Sequence, residues 1–315
     1  MRRSDMIYMK ILKLALLSML FLSCGKEQGD ILSVSTLPSV SAQYIVLNGQ
    51  DANHRGFAFY NIDGEFINGG NFRTEQGTPR GITPFSETSV LMSLDTTDTI
   101  YEVNLDGTKN LFHGSSQFNG NIYGIVTGNN GNVYAVESNR IEVFDQTGLR
   151  LSTMLINTTT GGCTLNNPRG MTLNSSGQLV VVNQGGTDAV LTYDISGSNA
   201  TCIGSVPFGN NPYGVLMHSD GYLYITTQAN EQVYRADPDG SNPVVIWTTN
   251  TSIIDEPTGI AELPNGDLII ASSLTDTVER ITTSGERVGT VPFIQDTQSL
   301  NIGDLAVISY TGGLP

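Results

Sequence analysis

The sequence predicts an all-β fold: a six-bladed β-propeller of four-stranded antiparallel blades, closed by a clasp blade shared between the N- and C-terminal ends of the domain. Three observations predict it. A Pro-x-Gly-apolar step recurs at spacings of 43, 46, 44, 45 and 44 residues. A nine-residue phrase ending in Gly recurs at the same cadence. The two marks are out of phase at the ends of the chain, so strands from both ends are needed to complete one unit. Four-stranded units at a period near 44 cannot cover both their faces alone, and stacking them in a ring does so.

The elements follow in order. Arg2, Arg3, Lys10 and Lys13 precede or flank the apolar stretch Leu14–Leu22, which is about half the length of a membrane span and fits the apolar region of a secretory signal. Phe21-Leu22-Ser23-Cys24-Gly25 resembles a bacterial lipoprotein signal, although Phe21 stands where Leu is usual. That resemblance implies cleavage before Cys24 and a diacylglycerol on its sulfur. It also implies a lipid-anchored protein of the cell envelope, sent to the outer membrane because Gly25 rather than Asp follows the Cys. An ordinary cleaved signal with an incidental Cys is the alternative. The division is therefore a signal peptide at 1–23, lipidated Cys24 with a flexible tether at 24–41, and a propeller at 42–315.

The full chain carries 15 Lys+Arg against 30 Asp+Glu, a net charge of −15. Loss of residues 1–23 leaves 11 against 29, a net −18. So acidic a surface excludes nucleic-acid binding driven by phosphate neutralisation and repels anionic lipid headgroups. Long-helix and coiled-coil classes are excluded by 35 glycines and only 14% charged residues.

Within the domain the step reads Pro79-Arg80-Gly81, Ile122-Tyr123-Gly124, Pro168-Arg169-Gly170, Pro212-Tyr213-Gly214, Pro257-Thr258-Gly259 and, more weakly, Asn301-Ile302-Gly303. The nine-residue phrases end at Gly64, Gly107, Gly148, Gly197, Gly240 and Gly285, each a β-rich strand closing on a hairpin turn in which Gly supplies positive φ. Between the two lies an apolar strand opened by a turn glycine, as in Gly177-Gln-Leu-Val-Val-Val and Gly266-Asp-Leu-Ile-Ile-Ala. The phrase ending at Gly64 precedes the first step and the step at Gly303 follows the last phrase. Residues 302–309 are thus expected beside strands from about 43–70, forming the clasp that removes an exposed edge.

The succession of step, turn glycine and apolar strand resembles the NHL repeat and the wider six-bladed, TolB-like propeller superfamily, over about residues 42–310. It departs from the NHL pattern at Asn183, Thr227 and Ser272, where an acidic residue is frequent. The resemblance implies a ligand site at one channel mouth, lined by the first strand of each blade. The residue between Pro and Gly then becomes the informative position: Arg80, Tyr123, Arg169, Tyr213, Thr258 and Ile302. Two Arg and two Tyr on an acidic protein form either a seat for an anionic group or a cap in which each Arg pairs with an acid such as Asp95 or Glu137. Asn183, Gln184 and Gln228 end the second strands of two blades and either reach that mouth or serve as turn amides.

Regucalcin- and gluconolactonase-like relatives hold a divalent metal on channel Glu, Asn and Asp, and they supply the enzyme alternative, a lactonase-like hydrolase or lyase. Here the first strands offer no acid close to the mouth, Glu262 and Asp304 being the nearest, so no cofactor, metal or catalytic residue is expected. His54, His113 and His218 are scattered and read as surface histidines. With Cys24 lipidated, Cys163 and Cys202 form an even pair, either bridged or two separate thiols. The leading expectation is a non-catalytic binding or scaffolding module whose partner is a protein or an anionic small ligand or glycan.

Overall fold

The computed structural model describes residues 42–51, 55–71, 77–115, 118, 120–157, 162–248, 254–295 and 301–310. Cys24, the signal, the tether and His54 lie outside the described residues. The clasp blade contains β1 (Ala42–Gly49), β2 (Gly56–Asn61) and β3 (Phe66–Asn71). The first complete blade follows as β4 (Thr78–Pro84), β5 (Ser89–Asp95), β6 (Thr99–Asn104) and β7 (Lys109–His113). The second has β8 (Ile122–Thr127), β9 (Val133–Glu137) and β10 (Arg140–Phe144); the third has β11 (Pro168–Leu173), β12 (Leu179–Asn183), β13 (Ala189–Asp194) and β14 (Thr201–Pro207). The fourth has β15 (Pro212–Met217), β16 (Leu223–Thr227), β17 (Gln232–Ala236) and β18 (Val244–Thr248); the fifth has β19 (Pro257–Glu262), β20 (Leu268–Ser272), β21 (Thr277–Ile281) and β22 (Ile294–Gln295). The last strand, β23 (Ile302–Tyr310), pairs with β1 and completes the clasp in the order β23-β1-β2-β3. The six antiparallel blades form a β-propeller. In the second blade the outer strand is reduced to two isolated bridges, Ile141 with Ile156 and Phe144 with Arg150.

Each second strand is an apolar run because it is buried on both faces, between the blade before and the blade after. Val133–Val136, Leu179–Val182 and Leu268–Ala271 are all essentially inaccessible. Among the described residues the apolar side chains gather into six clusters, one at each blade interface. At about 1.5–3 kcal/mol per buried Val, Leu or Ile, these interfaces dominate cohesion of the ring. The outermost strands behave differently: β14 alternates exposed and half-buried residues along its length. The phrase-ending turns use positive φ at Gly64, Gly107, Gly148, Gly240 and Gly285, but not at Gly197.

The Pro-x-Gly step is a β-bulge. Pairing slips between Pro79 and Ile82, Ile122 and Ile125, Pro168 and Met171, Pro212 and Val215, and Pro257 and Ile260. Such an extra residue re-aims a side chain and interrupts the ladder, here in the innermost strand of every blade. Side chains of the second strand fill the interruption. Ser93 accepts from Gly81 N at 2.9 Å and donates to Tyr123 O of the next blade at 2.6 Å. Thr226 links Gly214 N to Thr258 O in the same way, at 2.8 and 2.7 Å. Asn48 does so in the clasp, between Asp304 N and Arg80 O, at 3.0 Å each.

This equivalence corrects the register read from the sequence. Strand β23 begins at Ile302 as β8 begins at Ile122, so the clasp step is Ile302-Gly303-Asp304 and not Asn301-Ile302-Gly303. The Cα of Asp304 stands beside Gly259 as the Cα of Gly124 stands beside Gly81. The lumen-facing ring is therefore Gly81, Gly124, Gly170, Gly214, Gly259 and Asp304. At the five glycines a Cβ would collide with the neighbouring blade, with the carbonyl oxygen of the next step residue in four cases and with the Asp304 carboxylate in the fifth.

Candidate functional site

Four of the bulges turn their middle residues toward one mouth of the channel. A cavity of ≈ 290 Å³, partly open to solvent, is lined there by Arg80, Tyr123, Arg169, Tyr213, five step glycines and Asp304. Asp304 and the glycines also bound the next cavity inward, of ≈ 390 Å³. Beyond it a wider chamber of ≈ 660 Å³ opens past an apolar collar of Ile82, Ile125, Met171, Val215, Ile260 and Leu305. The lumen thus has a cationic, aromatic entrance, a waist holding one carboxylate, and an apolar lower part.

The two arginines are held differently. Arg80 Nε donates to Asp95 Oδ2 at 2.6 Å, and its Nη1 donates to Gln50 Oε1. Asp95 is almost wholly buried, so Arg80 is the counter-ion of a buried carboxylate, the cap arrangement that the sequence offered as an alternative. Glu137 pairs instead with Arg140, at 2.8 Å. Arg169 lies over the Tyr123 ring with its guanidinium carbon 3.9 Å from the centroid, and 5.8 Å from that of Tyr213. Its Nε donates to Gln184 Oε1 at 2.8 Å, and no carboxylate pairs with it among the described residues. The amide nitrogen of Gln184 is buried and finds no partner among the described residues.

The tyrosines feel this charge. Burial raises the Tyr123 phenol, but hydrogen bonding and charge from Arg169, with help from Asn121 and Arg80, bring it below its ordinary value. Tyr213 is raised, chiefly by burial, against the opposing fields of Arg80 and Arg169 and with Asp304 and Tyr123 adding to the rise. Asp304 Oδ2 accepts from Ile82 N at 3.0 Å and Oδ1 from Leu305 N at 2.9 Å. Enclosure by the ring pushes its carboxyl up to about 7, because burial outweighs both backbone donors.

The other sequence candidates divide. Thr258 is buried and donates to Ile302 O at 3.0 Å, so its hydroxyl joins two blades and does not face the lumen. Asn183 is buried, accepts from Asn166 N at 2.7 Å and donates to Gly185 O at 3.1 Å, which makes it a loop amide. Gln228 is half-buried, and its backbone N–H bonds Asn211 O at 3.2 Å. Cys163 and Cys202 form a disulfide with Cα atoms 5.7 Å apart.

Two expectations need correction. An acid does stand at the mouth: Asp304, hidden in the sequence by the one-residue register error. His218 is not a surface residue. It is buried, its Nδ1 accepts from Asp220 N at 3.0 Å and its Nε2 meets Gly266 O at 3.0 Å, which holds a turn far from the arginines. His113 is half-buried against Phe118 and Phe144. Sequence reasoning also passed over Gln50 and the buried bidentate pairs Arg150–Glu142 and Arg287–Glu279.

A divalent metal of the kind that six-bladed lactonases hold does not fit this lumen. Its entrance presents two guanidinium groups and a single carboxylate, and no group of three His, Cys, Asp or Glu gathers among the described residues.

No protein-family model matches the sequence, and no curated protein matches it in sequence. Solved structures match it in fold. A chain of the nidogen/laminin complex superposes with a TM-score of 0.64 at 12% identity, covering 85% of this chain and 98% of that one. A protein of unknown function from Bacteroides caccae gives 0.62 at 14% identity, covering 85% and 99%. A gluconolactonase from Xanthomonas campestris gives 0.56 at 15% identity, covering 68% and 75%. These identities establish a shared propeller fold.

Proposed function

We propose that this chain is a non-catalytic binding module of the bacterial envelope, tethered through lipidated Cys24, which receives a small anion or the anionic end of a glycan at the Arg169 mouth. The observation that carries the proposal is Arg169 itself. Its guanidinium lines the lumen, packs over the Tyr123 ring, and has a neutral amide in place of a carboxylate partner among the described residues. A planar cation preorganised in this way matches a carboxylate or phosphate in bidentate geometry. The mouth is partly open to solvent, so an anionic group can reach Arg169 while the rest of its ligand stays outside the ring. Use of the same fold in the nidogen/laminin complex supports a binding role and keeps a protein partner as the other occupant.

The test is titration of D-gluconate and of inorganic phosphate into wild type and Arg169→Ala. Loss of a charge-assisted bond worth about 1.5–3 kcal/mol weakens binding roughly 10- to 100-fold. Binding that survives the substitution, or wild type that binds neither anion, overturns the proposal. Arg80 is a poor test residue, because its removal strands the buried Asp95 charge.

A second reading, a lactonase-like hydrolase, is favoured by one observation: a lumen carboxyl that titrates near neutrality, as a general acid or base requires. Turnover of glucono-1,5-lactone, lost in Asp304→Asn, would establish it.

A further inference from the structure

Resting on the anion seat at Arg169, we propose that the lumen is bipolar and selects an anion that also carries a primary amine, such as an amino acid or an amino-sugar acid, with the ammonium bound by Asp304.

The ring geometry supplies the argument. Going round the blades, the step positions carry Arg80, Tyr123, Arg169, Tyr213, Thr258 and Gly303. Thr258 is turned into the interface between blades and Gly303 has no side chain, so the cationic, aromatic wall covers only the first four blades. The remaining arc exposes Gly259 and Asp304. Arg169 belongs to the third complete blade and Asp304 to the clasp, three positions away in a ring of six. The two groups therefore stand on opposite walls of one cavity. Tyr213 senses both, since its phenol is shifted by Arg169 in one direction and by Asp304 in the other.

Among the described residues neither pole meets an opposite charge. Arg80, the cation on the blade next to the clasp, is already paired with Asp95 and bonded to Gln50. Arg169 bonds a neutral amide. Asp304 receives two backbone N–H groups and no cation. A carboxylate accepts about four hydrogen bonds, so half its capacity is unused by these two donors. Its titration agrees: a cation in contact would hold the carboxyl below its ordinary value, and it lies above. Gly259 keeps the space beside the carboxylate, because a Cβ there would collide with Oδ1. A ligand carrying an ammonium group as well as a carboxylate joins both poles and offsets the desolvation cost of each.

The test uses matched probes differing only in a hydroxyl or an amine: L-lactate with L-alanine, and D-gluconate with 2-amino-2-deoxy-D-gluconate. Calorimetric titration at pH 8 is expected to show the amine form binding at least 10-fold tighter to wild type. In Asp304→Asn the two members should bind within about threefold of each other, with the hydroxy acid unchanged. If Asp304→Asn folds poorly, proton release in wild type decides. At pH 6, recruitment of the ionised carboxylate by an ammonium group should release close to one proton per amine ligand and none per hydroxy acid. Equal affinities within each pair, or an amine preference that Asp304→Asn retains, overturns the bipolar lumen while leaving the anion seat standing. Absence of binding by all four probes overturns both.

Discussion

Replacing Asp304 by Asn should make the protein relatively more stable as the pH rises. The carboxyl titrates at about 7 in the folded ring against an ordinary 3.8, so between those values the folded chain holds a proton that the unfolded chain has released. Stability must then fall with rising pH across that window, and the loss is complete above about 7. Each tenfold difference in proton affinity between the folded and unfolded chain corresponds to about 1.36 kcal/mol, which gives a ceiling of about 3 kcal/mol between pH 5 and 8.5. Water in the open mouth screens part of this, and about 1.5–3 kcal/mol is the expected range. The charged and titratable groups around Asp304 are Arg80 on β4, Tyr123 on β8, Arg169 on β11 and Tyr213 on β15; β19 presents Gly259. Asn also removes one of the two acceptor oxygens that serve Ile82 N and Leu305 N, at a cost of about 1–3 kcal/mol at every pH. That cost cancels when the difference between variant and wild type is compared at two pH values. Urea denaturation of both proteins at pH 5, just above the isoelectric point of 4.4, and at pH 8.5 supplies the four numbers required. A gap between variant and wild type that is independent of pH refutes the reasoning. A gap that moves against the Asn form at high pH would mean that the carboxylate is paired with a cation after all.

Two further outcomes follow from the same geometry. Gly259→Ala places a methyl group against Asp304 Oδ1 and against the backbone of Asp304 and Leu305, so a loss of about 1–3 kcal/mol is expected; a thermal midpoint equal to wild type would show that the ring has slack at this interface. The Cys163–Cys202 bridge closes a loop with a sequence separation of 39, worth about 4 kcal/mol in the chain-entropy account, and the Cys163→Ser/Cys202→Ser protein should unfold at correspondingly lower urea, with equal midpoints counting against it.

The fold is legible in the sequence because its determinants repeat. Pro or Ile, then a variable residue, then Gly, recurring every 43 to 46 residues at the start of a strand, marks a bulge at five places, and five such steps in register leave little freedom for the sixth. The apolar second strands are legible for the same reason: residues such as Val180–Val182 lack alternation because both their faces are covered. Four of the step residues reach the mouth, since a bulge fixes their direction locally. Asp304 escapes a sequence reading because the repeat itself argues for Gly303 as the ring residue, and only pairing with Asn48 shows the clasp displaced by one. The division of labour between Arg80 and Arg169 is not readable either. It depends on Asp95, fifteen residues from Arg80, and on Gln184, fifteen residues from Arg169, one acidic and the other neutral.

The clasp also gives the ring a single point of closure. Without β23, β1 has an open inner edge and the lumen has no sixth wall. Asp304 rides on that final strand, fastening it to Ile82 of the first complete blade across 222 residues. A chain clipped before β23 would therefore display the arginines without their opposing carboxylate, and on the bipolar proposal the loss of that one strand removes discrimination between ligands while leaving the anion seat in place.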